Sequence, residues 1–262
     1  VMAGLFVFAG FSAKTQAQIP YFSTKAGPTG SITVTEYRGI GGSNLNDLKK
    51  NAKFPSTPDH KDSAKYFEWP QTGDIARRPG GNIQDQYGWM LEGYLFPPRT
   101  GKYCFYLCSD DNGELYLSTD SNPANKKLIA TEPRWNARRN FKGHNRREIV
   151  DNSTGRRQNI SGPIDLEANK PYYIQALVKE GGGGDNLSVA WFTPDNGNDP
   201  GEQFNKINPK IIPGKYLAGI DSELVQPIIP LEALIGFYPF DNPGNPLEDV
   251  SGAEADLESV GA

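Results

Sequence analysis

The stretch Lys102-Tyr103-Cys104-Phe105-Tyr106-Leu107-Cys108-Ser109-Asp110-Asp111-Asn112-Gly113-Glu114-Leu115-Tyr116-Leu117-Ser118 sets two short apolar runs on either side of an acidic loop. Lys102–Cys108 and Glu114–Ser118 are each of strand length and rich in aromatic and aliphatic residues. Five more runs, Ser31–Tyr37, Trp89–Phe96, Lys127–Thr131, Tyr172–Lys179 and Leu187–Phe192, are likewise bounded by Gly, Pro, Asn or Asp. Their spacing predicts an all-β sandwich or barrel. Pro97-Pro98-Arg99-Thr100-Gly101 predicts a hairpin between Trp89–Phe96 and Lys102–Cys108, because the prolines stop one strand and the glycine permits a turn. One short helix is expected at Asn44–Lys50 with Ser43 as its N-cap. With 29 Gly and 21 Pro among 262 residues, long helices are disfavoured, while 37% hydrophobic and 11% aromatic content excludes a fully disordered chain.

Charge is balanced overall and uneven locally. The 27 basic and 31 acidic residues leave −4, which points to neither nucleic acid nor membrane as a partner of the whole chain. Eight basic residues between Arg134 and Arg157, against Glu148 and Asp151, make that stretch +6. It is expected to be a solvated loop, with a sulfated or uronic polysaccharide as the alternative ligand because Trp135 and Phe141 lie among the charges. From Asp221 to Ala262 there are nine acids and no Lys or Arg, so a boundary is expected near residues 213–230.

Val1–Ala13 is apolar and precedes Thr15-Gln16-Ala17, so residues 1–17 read as a signal peptide lacking its basic n-region. The run is shorter than the ~20 residues a membrane span needs. The protein is therefore expected to be secreted or displayed at a cell surface. Cys104 and Cys108 would lie roughly 13 Å apart along a strand, too far for a disulfide, and are expected to be buried thiols.

The acidic loop Ser109–Glu114 crowds oxygen ligands. Consecutive side chains of an extended strand point to opposite faces, so Asp110 and Asp111 can grip one ion only if the backbone turns sharply, as a cis peptide does. Calcium accepts six to eight oxygens in irregular geometry and is the natural candidate. The position of Gly113 excludes an EF-hand, and the competing reading is a polar turn whose Asp side chains cap backbone amides. Adjacent Asp residues sharing an ion do not offer the carboxyl separation of a glycosidase, and His60 and His144 stand in loop-like stretches without a nucleophile pattern. No catalytic role is assigned. Gly181-Gly182-Gly183-Gly184 matches neither a P-loop nor a dinucleotide fingerprint, leaving its backbone and the following Asp185 and Asn186 to carry chemistry. Asn152, Asn159 and Asn186 each open a glycosylation sequon.

Tyr87-Gly88-Trp89, Gly93–Pro98, Gly101–Phe105, Ser109–Ser118 and Lys179–Leu187 together resemble, in order and spacing, the anthrax protective-antigen-type domain (PA-fourteen family) over roughly residues 26–200. The resemblance implies an antiparallel β-sandwich barrel used as a module in surface proteins, glycosidases, toxins and adhesins. It also implies that Asp110 and Asp111, joined by a cis peptide, hold a calcium ion that coordinates neighbouring sugar hydroxyls. The family's later loop does not align cleanly here, and Asp185 and Asn186 are taken as its equivalents. The tail segments Leu234–Asp241 and Asp249–Gly252 resemble the opening of a laminin G or concanavalin A-like jelly roll, too short to close a sandwich. The expected organisation is residues 1–17 signal peptide, 26–213 β-sandwich, 214–230 linker and 231–262 an incomplete laminin G-like start, within a larger surface protein.

Two functions follow. One is a calcium-dependent carbohydrate-binding adhesion module, with Asp110, Asp111, Asp185 and Asn186 as metal ligands and Asn112, Trp135, Tyr116, Gly183 and Gly184 against the sugar. The other is a structural or protein-interaction domain in which calcium only stabilises a loop.

Overall fold

A computed structural model of the protein describes residues 27–71, 84–143, 146–194 and 209–221. The signal-peptide and laminin G-like readings, and His144, lie outside the described residues. Two antiparallel sheets face each other. The seven-stranded sheet runs in the order β2 (His60–Ala64), β1 (Ile32–Arg38), β4 (Tyr87–Leu95), β11 (Tyr172–Glu180), β6 (Asn112–Leu117) and β7 (Lys127–Glu132), with β14 (Leu217–Gly219) also paired to β4. The five-stranded sheet runs β10 (Ile164–Leu166), β5 (Gly101–Asp110), β12 (Asn186–Phe192) and β13 (Lys210–Ile211), with β3 (Glu68–Trp69) also on β12. A small ribbon pairs β8 (Ile149–Asp151) with β9 (Arg156–Arg157). All seven strands read from the sequence are present, and the shorter ones it missed carry too few residues for a period to register.

Alternation decides what each strand buries. Trp89 and Leu91 of β4, Phe105 and Leu107 of β5, Ile174, Ala176 and Val178 of β11, and Leu187 and Val189 of β12 meet in one core between the sheets. The opposite face of β5 is buried too, with Cys104, Tyr106 and Cys108 packed under Phe141 and Ile160. Burial on both faces is why this run is continuously apolar instead of alternating. Both cysteines are free and buried, as expected. On the outer face of the seven-stranded sheet, Met90 and Leu177 pack with Leu45 and Leu48 of the helix α1 (Leu45–Lys49). Each such buried side chain contributes roughly 1.5–3 kcal/mol.

Four readings are corrected. The helix is capped one residue later than expected: the Asn44 side chain accepts from the Asn46 amide at 2.8 Å, and the Asp47 carboxylate accepts from the Asn44 amide at 3.2 Å. This reciprocal box satisfies two orphan amides, which Ser43 would not. The Pro97–Gly101 connection does not close a hairpin, because β4 is flanked by β1 and β14 on one side and β11 on the other, so the chain crosses to the other sheet as β5. The sandwich continues past residue 213 into the stretch read as linker, since β14 pairs Leu217 with Leu95.

The fourth correction concerns the basic stretch, which is partly exposed but whose arginines are largely paired. Glu68, on β3, accepts from Arg138 Nε at 3.1 Å, from Arg139 Nε and Nη2 at 2.7 and 2.6 Å, and from Ser188 Oγ at 2.9 Å. Arg147 and Glu132 form a fully buried ion pair, with Arg147 also bonded to the Asn140 carbonyl at 2.7 Å. Arg156 bonds the Ile160 carbonyl at 3.0 Å. The charges clamp this segment over the outer face of β5.

Burial pushes the Glu68 carboxyl up, but the hydrogen bonds from Arg139 and Arg138 outweigh it and leave the group below its usual range. A carboxyl depressed in the folded state stabilises above its unfolded value and loses that contribution as pH falls through the folded one. Glu68→Gln is therefore expected to cost roughly 3 kcal/mol at pH 7, in denaturant unfolding. It should also flatten the loss of stability on acidification below about pH 4.5.

Candidate functional site

Strand saturation creates the site. β5 leaves the five-stranded sheet at Asp110, and the chain enters the seven-stranded sheet as β6 at Asn112. β11 already has β4 and β6 as neighbours, so beyond Glu180 the glycine loop also crosses between sheets, entering the other one as β12. This loop, too, is not a hairpin. The pairings Lys179 with Asn112 and Asn186 with Asp110 press the two crossings together at one end of the sandwich.

The Asp110–Asp111 peptide is cis. Asp111 Oδ2 accepts from the Gly181 amide at 3.1 Å. Asp110 Oδ2 lies so close to Gly184 that a Cβ there would come within 2.5 Å of it. The two carboxylates thus face opposite ends of the same glycine loop. Burial, then the charges of Asp111 and Asp185, push the Asp110 carboxyl up to about 7, against the opposing charge of Arg146.

Two further carboxylates stand behind them. Asp185 is fully buried and accepts from the Tyr87 hydroxyl. Glu180 is also fully buried, and neither of its oxygens makes a hydrogen bond of ordinary geometry. The Gly182 amide lies near enough to favour its ionised form, but burial and the charges of Asp111, Asp110 and Asp185 push the carboxyl up to about 8. Among the described residues, Lys179 and Arg146 are the cations near this acidic end. Lys179 Nζ is turned to backbone carbonyls, that of Gly42 at 2.6 Å and that of Glu180, stapling the loop before α1 to β11.

The remaining residues read from the sequence fall at graded distances. Asn186 is buried and donates to the Asn136 carbonyl at 3.0 Å. Asn112 donates to the Pro133 carbonyl and borders a shallow cavity of about 280 Å³ shared with Asn44 and Thr131. That bond, with the Asn136 amide bonded to the Ser109 carbonyl at 2.9 Å, lays residues 133–136 beside the acidic corner. Trp135 projects from this segment, 47% exposed, with the Arg146 guanidinium 3.4 Å above its ring. Gly183 has φ +119°, open to glycine alone, and its amide approaches Asp85 Oδ1 at 3.4 Å.

Tyr116 is not at this corner. Leu115 and Leu117 face the core, so Tyr116 faces outward, four positions and roughly 13 Å along β6 from Asn112. Of the three sequons, those at Asn159 and Asn186 are buried, leaving Asn152 exposed. Glu180, Tyr87 and Lys179 were missed. For Glu180 the signal existed: it continues the inward period of Ile174, Ala176 and Val178.

No family model matches the sequence. The chain is 27% identical over 167 residues to mouse N-acetyl-beta-glucosaminyl-glycoprotein 4-beta-N-acetylgalactosaminyltransferase 1, covering 62% of this chain and 14% of that protein. It is 30% identical over 119 residues to mouse fibrocystin-L, covering 45% of this chain and 2% of that protein. The chain thus spans a small part of either relative. Similar solved structures include a PA14 sugar-binding domain from an RTX adhesin, with 13% identity, TM-score 0.45, and coverage of 74% of this chain and 99% of that one. Another is the epithelial adhesin 9 A domain of Candida glabrata in complex with Galb1-4GlcNAc, with 14% identity, TM-score 0.40, and coverage of 63% and 82%.

Gly184→Ala places a methyl group where Asp110 Oδ2 now lies, and the carboxylate must swing away. The melting temperature should change by no more than about 4 °C, because only the tip of a side chain has to yield.

Proposed function

We propose that the described domain is a carbohydrate-binding adhesion module whose acidic corner takes a calcium ion. The observation that carries this reading is Glu180, a buried carboxylate with no hydrogen-bond partner of ordinary geometry beside three Asp side chains. Isolated buried charges are costly, by several kcal/mol per ion, and native proteins pair them or give them to metals. The donor set is all oxygen, which suits calcium over softer-ligand metals. Among the described residues, no three Asp, Glu, His or Cys side chains already close on one point. Asp110 and Asp111 would hold the ion, with Asp185, Asn186 and the carbonyls of the glycine loop completing the set. When bound, calcium would accept neighbouring sugar hydroxyls as further oxygens.

The protein's own part is positional. Tyr87 fixes Asp185, the Gly181 amide orients Asp111, and the absent side chain at Gly184 leaves room for Asp110. Trp135, braced by Arg146, offers a half-exposed ring beside the corner for the apolar face of a sugar. The RTX adhesin domain binds sugar and the Candida adhesin domain was solved with a saccharide, and both support this reading.

Calcium should raise the melting temperature by mass action, and Glu180→Gln should raise that of the calcium-free protein while shrinking the calcium shift. On a glycan array, calcium should add binding to glycans that are not bound in EDTA, and that calcium-dependent part should vanish with Asp110→Asn. An array profile that calcium leaves unchanged, or a calcium-dependent part that survives Asp110→Asn, overturns the site. A calcium shift in melting temperature with no glycan bound supports the other reading, a domain in which the ion only stiffens the loop.

A further inference from the structure

The outer face of the seven-stranded sheet carries a groove of about 500 Å³, well away from the acidic corner along β6 and β11. Its size lies within the range of small-ligand sites. Tyr116 forms a half-buried wall, and Tyr173 and Gln175 belong to the buried floor. Lys49, at the end of α1, and Lys126, just before β7, stand over it, with Glu92 at its edge.

The polar groups are held in place before any ligand arrives. Glu92 Oε2 accepts from the Tyr173 hydroxyl and, at 3.2 Å, from Gln175 Nε2. Gln175 Oε1 accepts from Lys126 Nζ at 2.9 Å. Lys49 Nζ bonds the Tyr116 hydroxyl at 3.0 Å and pairs with Glu114, which also accepts from that hydroxyl. Lys126 uses one of its three N–H groups in this network and forms no carboxylate pair among the described residues, while its ammonium lies 5.7 Å from the centroids of both Tyr116 and Tyr173. Two lysines and two glutamates leave the groove without net formal charge.

Aromatic rings of Tyr116 and Phe54, fixed hydrogen-bond donors and acceptors and no net charge describe the complement of a neutral saccharide. Such a ligand presents a flat C–H face to a ring and hydroxyls that both give and accept hydrogen bonds. The geometry points to this groove as a second saccharide site, for neutral oligosaccharides, that works without calcium. It goes beyond the corner site and stands whether or not that site binds a cation.

The test is a glycan array of neutral, sialylated and uronic oligosaccharides, probed with the full chain in EDTA. The expected result is binding to neutral glycans, unchanged in Asp110→Asn and weakened about tenfold in Tyr116→Ala, the worth of one aromatic contact. Tyr116→Phe, which keeps the ring, should retain most of the signal, and melting curves of both variants establish that they fold. Lys126→Met gives a second handle and should also weaken binding. No neutral glycan bound in EDTA, binding indifferent to both Tyr116→Ala and Lys126→Met, or binding confined to acidic glycans would each overturn the proposal.

Discussion

A strand in a sheet has two edges, and in this sandwich β4 and β11 have both of theirs filled. The chain leaving either strand is forced across to the other layer. The chain leaving β11 crosses at Glu180–Asn186, the chain leaving β5 crosses at Asp110–Asn112, and the two crossings lie side by side because β6 pairs with β11 and β5 with β12. The apolar core ends where they meet, and four carboxylates occupy the gap. In an interior of low dielectric their mutual repulsion is strong and neighbouring positive charge becomes valuable. Lys179 spends its hydrogen bonds on backbone carbonyls, and Arg146 lies over Trp135, so neither neutralises the cluster directly.

The outer layers do different work. On the five-stranded side, Arg138, Arg139, Arg147, Arg156 and Arg157 bond Glu68, Glu132 and backbone carbonyls, which holds this basic stretch over Cys104, Tyr106 and Cys108. The same clamp carries Asn136 and Trp135 to the edge of the acidic corner. On the seven-stranded side the short helix packs against Met90 and Leu177, and the groove opens beside it with both residues in its lining. Charge in one region thus builds structure, while in the other it lines a surface.

Much of the fold was legible because strand periods are local. The seven longer strands follow from alternating or continuous apolar runs, and the acidic loop stood out through its crowding of oxygen donors. The connections were not legible. A Pro-Pro-x-x-Gly link reads the same whether it folds back on its neighbour or crosses a sandwich, and only the occupancy of β4's edges decides. Tyr116 is near the acidic loop in sequence but not in space, because the period of two sends it to the opposite face from Leu115 and Leu117. The basic stretch misled for a different reason. Net charge counts residues, and ion pairs with Glu68, distant in sequence, cannot be counted that way.

The account rests on the acidic corner taking a hard cation. Terbium replaces calcium at oxygen sites and is excited through nearby aromatic rings, and Tyr87 and Trp89 lie beneath this corner with ring centroids 4.5 Å apart. Aromatic-sensitised terbium luminescence of the full chain should appear on titration, be displaced by calcium, and disappear in the Asp110→Asn, Asp111→Asn double variant. Sensitised emission that is absent, or that persists in the double variant, would contradict it.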